Sequence, residues 1–486
     1  MRRLTLHPSG ITLRPKSARV LVRPFVPSDP ARIEHILARA LSLSEAETEE
    51  RLAEIEADFG GRHHDLPGVW QRHFERVKAH LFSGRPLSAA RQHYIGALFS
   101  GEYALESAAL FNPSIVAHPD QSGLGEDELR FILSLRATGE GHISSIEFRT
   151  GVVHQDYTIE IDPPSPFLAS PSVNPNPTYR KVNFLHKLRE MGTENAWSDE
   201  VMRTLPDFFT LSELELALQR ANQGLARLSR DVQRTLECVR WLAESNYEVH
   251  FAPTTELSGR VIFPVSANES NGIEDARFVR FVEDDGSASY YATYTAYNGR
   301  SILPQLLETS DFLNFRAVTL NGRAVQNKGM ALFPRRLAGR YAMISRQDDE
   351  NLYLMFSDNP HFWSDPQLLR RPTAAWETVK IGNCGSPIET KAGWLVITHG
   401  VGPMRKYCIG AMLLDLDDPA KVLGHLDAPL LMPENAERDG YVPNVVYTCG
   451  ALLHRERLIL PYGLSDTAAT IVTLTLDSLL EQLRLC

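Results

Sequence analysis

Cysteine is scarce and scattered. The five residues, Cys238, Cys384, Cys408, Cys449 and Cys486, include no CxxC pair, which removes a zinc ribbon and a disulfide framework as organising devices. No apolar run reaches the length of a membrane span, and no apolar stretch follows the basic start MRRLTLHPSG, so neither a spanning helix nor an export signal is expected. Positive charge is in deficit, 50 Lys and Arg against 60 Asp and Glu, for a formal net charge of -10. That balance argues against a general nucleic-acid or membrane-surface binder and makes any anion site local. A cytoplasmic enzyme or binding protein is the expectation. The rest is ordinary for a globular chain, 43% hydrophobic and 23% charged over 486 residues, enough for one large β domain with additions or for two to three domains.

The chain opens with alternating apolar residues (Val20, Val22, Phe25) that predict a strand or two. From Ser28, a candidate cap, the spacing of Ile33, Ile36, Leu37 and Leu41 turns helical, and Ser44 opens a second, acidic helix. Two more helices are predicted over 69–82 and 87–99. His63 and His64 in GRHHD lack a third ligand at helical spacing, and no metal site is expected. Residues 163–177 carry six prolines and predict an extended linker. Thr210 or Ser212, with Glu213 or Glu215, then forms a capping box before one long helical run through Leu216, Leu225, Leu228, Val232, Leu236 and Leu242. Its apolar stripe is most simply read as packing on the N-terminal helices.

From Glu256 onward the chain is rich in strands and repeats itself. GIEDARFVRF is followed by SYYATYTAY, GMALFPRRL by GRYAMISR, GSPIETKA by GWLVITHG, and VPNVVYTCGALLH by RLILPYGLSD. The repeat length, about 50 to 65 residues, suits a propeller blade. An earlier pair, FNPSIVAH with RFILSLRA, is a fifth copy split off by the helical insertion. The expected fold is mainly β: a five-bladed β-propeller with an α-helical N-terminal region (1–106), a first blade (107–151), a Pro-rich linker and helical insertion (152–255) and the remaining blades (256–486).

In a hairpin, the start of the first strand and the end of its partner lie at the same end, so these positions ring one face of the channel. Strand starts give Asn112, Asp275, Lys328, Lys380 and Asn444; strand ends give Arg136, Tyr297, Arg346, His399 and Asp466. Glu274 stands beside Asp275, and alternation puts Arg277 on the side of Asp275. Lys328, Arg346, Lys380 and His399 are four potential cations on consecutive blades. A planar guanidinium fork with movable ammonium groups suits phosphate. Tyr290, Tyr291, Tyr294, Tyr297, Trp376 and Tyr407 are available to stack on a sugar, with a core role at least as good a reading. Cys384 has no histidine at motif spacing to activate it, and Glu377 and Glu389 read as exposed or ion-paired strand residues rather than bases.

The segments FNPSI, GIEDAR, NKGMALFP, ISR, VKIGNCGSPIET, WLVITHG and VPNV, in that order, resemble glycoside hydrolase family 130, the β-mannoside phosphorylases and related β-mannosidases, over residues 107–150 and 256–480. The resemblance implies a five-bladed propeller and an inverting phosphorolysis of non-reducing β-mannosyl residues to α-mannose 1-phosphate. It implies Asp275 as general acid, acting through the mannose 3-hydroxyl, and Lys328, Arg346, Lys380 and His399 as phosphate ligands. Asn112 and Arg136 fall at sugar-contacting positions; Glu274, Tyr297, Tyr441, Asn444 and Asp466 are the further candidate substrate contacts. Inorganic phosphate is then the co-substrate, with no other cofactor, no metal, and no nucleic-acid or membrane partner; large helical faces leave room for a homo-oligomer. An inverting glycosidase needs a second carboxylate to activate water, whereas phosphate needs only to be held in line. A hydrolytic β-mannosidase and a non-catalytic mannoside-binding propeller are the alternatives. Tyr441 stands before VPN where many relatives carry Asp, which puts the sugar, linkage or subsite shape in question.

Overall fold

The computed structural model describes residues 4–81, 86–223 and 229–485. Its strands form five antiparallel blades. The first is Ala109–Ala117, Leu129–Thr138 and Ser144–Val153; the second is Gly272–Val282, Ala288–Tyr297, Ile302–Thr309 and Asn314–Thr319. The third is Ala331–Leu332, Tyr341–Ser345, Leu352–Ser357 and Gln367–Arg370; the fourth is Lys380–Asn383, Gly393–Val401, Tyr407–Leu414 and Val422–His425. The fifth is Val446–Tyr447, Arg457–Leu464 and Ala468–Thr475, with His7–Leu13 from the opposite end of the chain as its outermost strand. The sequence pairs recur as antiparallel neighbours in every blade. A third strand, Ser144–Val153, joins the first blade, and its Ser144 bridges to Gly272 of the second.

Successive blades pack on one another, and strand Ala109–Ala117 of the first also packs on Arg457–Leu464 of the fifth, so the contacts close into a ring. The apolar residues explain why. One core cluster lies between each successive pair of blades, including the fifth and first. A strand buried on both faces needs a continuous apolar run rather than alternation. Leu395, Val396 and Ile397 show it: Val396 packs towards the third blade, and Leu395 and Ile397 towards the fifth. The fold is mainly β, a five-bladed propeller with helical additions.

The N-terminal helices form where the spacing predicts, with their own core of Ile33, Leu37, Phe74, Val77, Ile95 and Phe99. Asp29, not Ser28, caps Pro30–Leu41, because Pro30 at the first helical position needs no donor partner. Ser44 and Glu47 form the capping box of Glu45–Phe59. The third helix is Leu66–Val77 and the fourth Ala89–Leu98; Phe82, in the predicted third helix, lies outside the described residues. His63 donates or accepts through Nε2 to Glu102 at 2.7 Å, beside Arg62.

The insertion departs from the expectation twice. The long run is two helices, Leu211–Asn222, capped by Thr210 with Glu213, and Arg230–Glu244, because Gln223 leaves the helical region. Leu225 and Leu228 lie outside the described residues. The apolar stripe does not pack on the N-terminal helices. Leu214, Leu218, Val239 and Leu242 instead bury against Tyr179, Phe184, Leu188, Val201 and Phe209, on segments of the insertion that include helices Lys181–Glu190 and Ala196–Thr204, which the apolar spacing does not reveal. Helix Arg230–Glu244 also reaches the propeller. Trp241 Nε1 donates to Asn268 Oδ1 at 2.8 Å, and Asn268 Nδ2 donates to the Ser245 hydroxyl, bracing the turn that leads to Gly272. Cys238, Cys384, Cys408 and Cys449 are free thiols, and Cys486 lies outside the described residues. No described helix is long and apolar enough to cross a membrane.

Candidate active site

The innermost strands of the first two blades are bulged. Register slips between Phe111 and Ser114 and between Glu274 and Arg277. Inside each slip one residue takes a left-handed backbone, Asn112 at φ 48° and Asp275 at φ 54°. A bulge re-aims a side chain, and Asn and Asp tolerate this region better than most residues. The two then meet: Asn112 Nδ2 donates to Asp275 Oδ1 at 2.7 Å. Asn444 and Asp466 share the left-handed conformation, at 62° and 51°. The bulge also overturns the simple alternation for Arg277. Its Nη1 donates to the Asp275 carbonyl at 2.9 Å rather than to the carboxylate, and its Nη2 to the Tyr447 hydroxyl at 2.6 Å.

Arg136 forks across the acid pair, with Nη2 on Glu274 at 2.7 Å and Nη1 on Asp275 at 3.2 Å, while its Nε donates to Ser144 Oγ at 2.9 Å. Lys328 Nζ takes the other Glu274 oxygen at 3.3 Å. Burial pushes the Asp275 carboxyl up, but Arg136, then Arg277 and Lys328, outweigh it and hold it at about 2. It is a carboxylate in the free protein. Asp466 goes the other way: burial, then the charge of Asp275, push it up to about 6, against the pull of Arg136 and Arg405. Carboxyls whose environments drive their pKa values apart are the usual setting for acid and base roles.

The third and fourth blades supply the cations. Arg346, buried, donates through Nε to the Lys328 carbonyl at 3.0 Å and pairs with Asp349 at 3.3 Å; Lys380 Nζ meets the same Asp349 at 3.0 Å. Two glycines make the room. A Cβ on Gly329 would stand 2.7 Å from Arg346 Nε, and one on Gly382 only 2.3 Å from the His399 ring. His399 is wholly buried, stacked on Tyr407 with centroids 5.9 Å apart and edge-on to Tyr447 at 4.9 Å. Burial first, then Arg346, Arg277 and Lys380, drive its pKa well below the ordinary histidine value. It is therefore a neutral imidazole, not a fourth cation, and its buried Nε2 has no hydrogen-bond partner among the described residues.

Nine of the twelve candidates thus form one connected charge and hydrogen-bond system: Asn112, Arg136, Glu274, Asp275, Lys328, Arg346, Lys380, His399 and Asp466. Asn444 lies alongside, its carbonyl accepting from Tyr407 N at 3.0 Å and its Oδ1 from Arg438 Nε at 2.7 Å. Tyr441 stands at the rim, half-exposed, beside His142. Tyr297 lines up with Gly272 across the sheet, but among the described residues no hydrogen bond ties its side chain to the system. Sequence reasoning missed Asp349, in the turn three residues after Arg346, and Arg405, whose charge reaches Asp466 from an exposed loop. Glu389 pairs with Arg335 at 2.7 Å, and buried Glu377 is gripped by Arg370 at 2.8 Å. Cys384 does lie by a histidine, Sγ 3.9 Å from His399 Nδ1, yet burial pushes its thiol up to about 12. Tyr290 and Tyr294 are core residues, the latter bonded to Glu269.

A family model described as beta-1,4-mannooligosaccharide phosphorylase matches residues 237–485, half of the chain. The chain belongs to glycoside hydrolase family 130. As a family 130 protein it is an enzyme, of the glycoside phosphorylase class. Over 224 residues it is 33% identical to a 1,2-beta-oligomannan phosphorylase of Thermoanaerobacter, an alignment covering 44% of this chain and 74% of that one. It is 29% identical to a beta-1,2-mannobiose phosphorylase of Listeria innocua, covering 46% and 63%, and 30% identical to a beta-1,4-mannooligosaccharide phosphorylase of Ruminococcus albus, covering 42% and 64%. The family match starts after the first blade, whose Asn112 and Arg136 the fold nevertheless brings to Asp275.

Proposed function

We propose that the protein is an inverting β-mannoside phosphorylase: phosphate attacks the anomeric carbon of a non-reducing β-mannosyl residue, and α-mannose 1-phosphate leaves with the shortened acceptor. The observation that carries this reading is the convergence of Lys328, Arg346 and Lys380 with the neutral donor His399 beside a single acid cluster. Such a set holds a phosphate in line by charge and hydrogen bonds. Asp275 donates the proton to the leaving group through the sugar. It is ionised in the free protein, and phosphate bound near Lys328 offsets the positive field that keeps it so, which raises its pKa. Arg136, Asn112, Glu274 and Asp466 then orient the sugar, and the inorganic phosphate is the only co-substrate.

Hydrolysis by the same scaffold needs a carboxylate base. Glu377 and Glu389 are engaged elsewhere. Asp466, pushed up to about 6, has the basicity, but the charges that act on it are those of Asp275, Arg136, Arg405 and Glu274 rather than of Lys328, Arg346 and Lys380. Asp349 does touch the cations, but despite its burial its pKa is lowered by hydrogen bonding to Lys380 and by Arg346, making it a weak base. The relatives carry both β-1,2 and β-1,4 names, so the linkage is a matter for assay. The test incubates the protein with β-1,2-, β-1,3- and β-1,4-linked mannobioses and mannosyl-glucoses, with and without phosphate, measuring α-mannose 1-phosphate and free mannose separately. Sugar phosphate is expected only with phosphate present, and Asp275→Asn is expected to lower the rate by roughly 10²–10⁴-fold, the range for a general acid. Free mannose formed equally fast without phosphate would move the enzyme to the hydrolases.

A further inference from the structure

Tyr441 is 51% exposed, unusual for a tyrosine whose ring and hydroxyl are both engaged. Its ring lies 5.6 Å from that of His142 at 33°, and its hydroxyl is 3.1 Å from His142 Nδ1. The two lie 299 residues apart in the chain and come from the two blades that close the ring. His142 sits in a tight turn, with φ 60°, between strand Leu129–Thr138, which carries Arg136, and Ser144, which fixes the Arg136 Nε. Tyr441 is fixed by its backbone to the turn that carries Asp466: Tyr441 N donates to Thr467 Oγ1 at 2.8 Å, and Val442 N to the Ser465 carbonyl at 3.1 Å. Gly440 allows that approach, since a Cβ there would stand 2.4 Å from the Ser465 carbonyl oxygen. The paired rings therefore span the first and fifth blades at the end where Arg136 and Asp466 lie, on the acid side of the site and away from the cations of the third and fourth blades.

We infer that the Tyr441–His142 pair is a stacking platform for the sugar on the leaving-group side of the scissile bond. The apolar C–H face of a pyranose has the size and chemistry to lie on a fixed aromatic surface. The hydroxyl–imidazole hydrogen bond holds the two rings so that little freedom is lost when a sugar arrives. Arg136, Asn112 and Asp275 take the mannosyl ring that reacts, and the phosphate cluster lies on the other side, so the rim pair is left for the acceptor. It offers the acceptor a surface that selects by shape. For its occupant this inference rests on the phosphorylase reading.

Synthesis from α-mannose 1-phosphate and an acceptor sugar separates the two sides. For Tyr441→Ala and His142→Ala the KM for acceptor is expected to rise roughly three- to tenfold, the worth of one aromatic contact, with the KM for α-mannose 1-phosphate unchanged. Tyr441→Phe, which keeps the ring and loses the hydroxyl, is expected to stay within about twofold of wild type. Equal changes in both KM values, or none in the alanine variants, would overturn the platform. Should the enzyme form no sugar phosphate, calorimetric titration still decides: Tyr441→Ala must weaken binding of a mannobiose while leaving that of mannose as it was, and equal weakening sinks the idea.

Discussion

Two networks in this molecule use the same letters to opposite ends. Arg19 and Arg149 hold Glu106 and Glu147 at 2.6–3.2 Å, with every side chain 7% exposed or less. Arg136 and Lys328 hold Glu274 and Asp275 at 2.7–3.3 Å, with exposures of 12–38%. The first network is sealed. Arg19 spends its remaining donors on the carbonyls of Ser165 and Ser258, tying the N-terminal segment, the first blade and the Pro-rich linker together. Burial, then Glu147, push Glu106 up to about 8, so one acid stays neutral. In the second, cations outweigh burial and keep Asp275 ionised, while Asn112 Oδ1 and, in the adjoining cluster, His399 Nε2 lie buried without hydrogen-bond partners among the described residues. The first network is shut away inside the fold; the second lies within reach of a ligand.

The comparison breaks most visibly at Arg149. Arg149→Ala takes one of its two arginine partners from the buried Glu147 carboxylate and is expected to cost about 3–5 kcal/mol in urea unfolding, with kcat of the folded fraction unchanged. A folded variant with kcat lowered as far as in Asp275→Asn would mean that the two networks are one. Asp466 tests the open network through pH. Its folded pKa of about 6 lies above the ordinary 3.8, so the stability linked to its proton is present below pH 3.8 and is lost as pH rises through 6. Asp466→Asn cannot ionise, so relative to wild type it should gain up to roughly 3 kcal/mol between pH 4 and 7, which melting curves across that window measure. A flat difference would show that neither burial nor Asp275 raises the Asp466 pKa. The smallest effect is expected at Asp349, a half-exposed anion on Arg346 and Lys380. Asp349→Asn should lower the KM for phosphate about two- to fivefold, the worth of an exposed ion pair. A rise instead would make Asp349 the strut that positions the two cations.

These contrasts explain what could be read from the residues alone. The blades were legible because each strand carries its own apolar run and turn signals, as in GWLVITHG. The ring of Asn112, Arg136, Asp275, Lys328, Arg346 and Lys380 was legible because hairpin geometry brings strand starts and ends together. The partners of each charge were not. Nothing in the order of residues distinguishes Glu106 from Glu274, or announces that Asp349 sits between two cations, since burial and pairing arise between blades far apart in the chain. His399 was placed correctly but mistaken for a cation, because its neutrality comes from being enclosed among Arg346, Arg277 and Lys380. The bulges that turn Asn112 and Asp275 towards each other likewise defeat a strict alternation of side chains. The insertion was seen as helical, but its self-contained core required helices too short for periodicity to reveal.

One small contact bears on how the enzyme would be cut down or remodelled. Trp241 and Ser245 of the insertion grip Asn268, a few residues ahead of Glu274 and Asp275. The working unit is thus larger than the ring of blades: a shortened protein lacking 152–255 would lose both that brace and the strand Tyr247–His250 that edges the second blade.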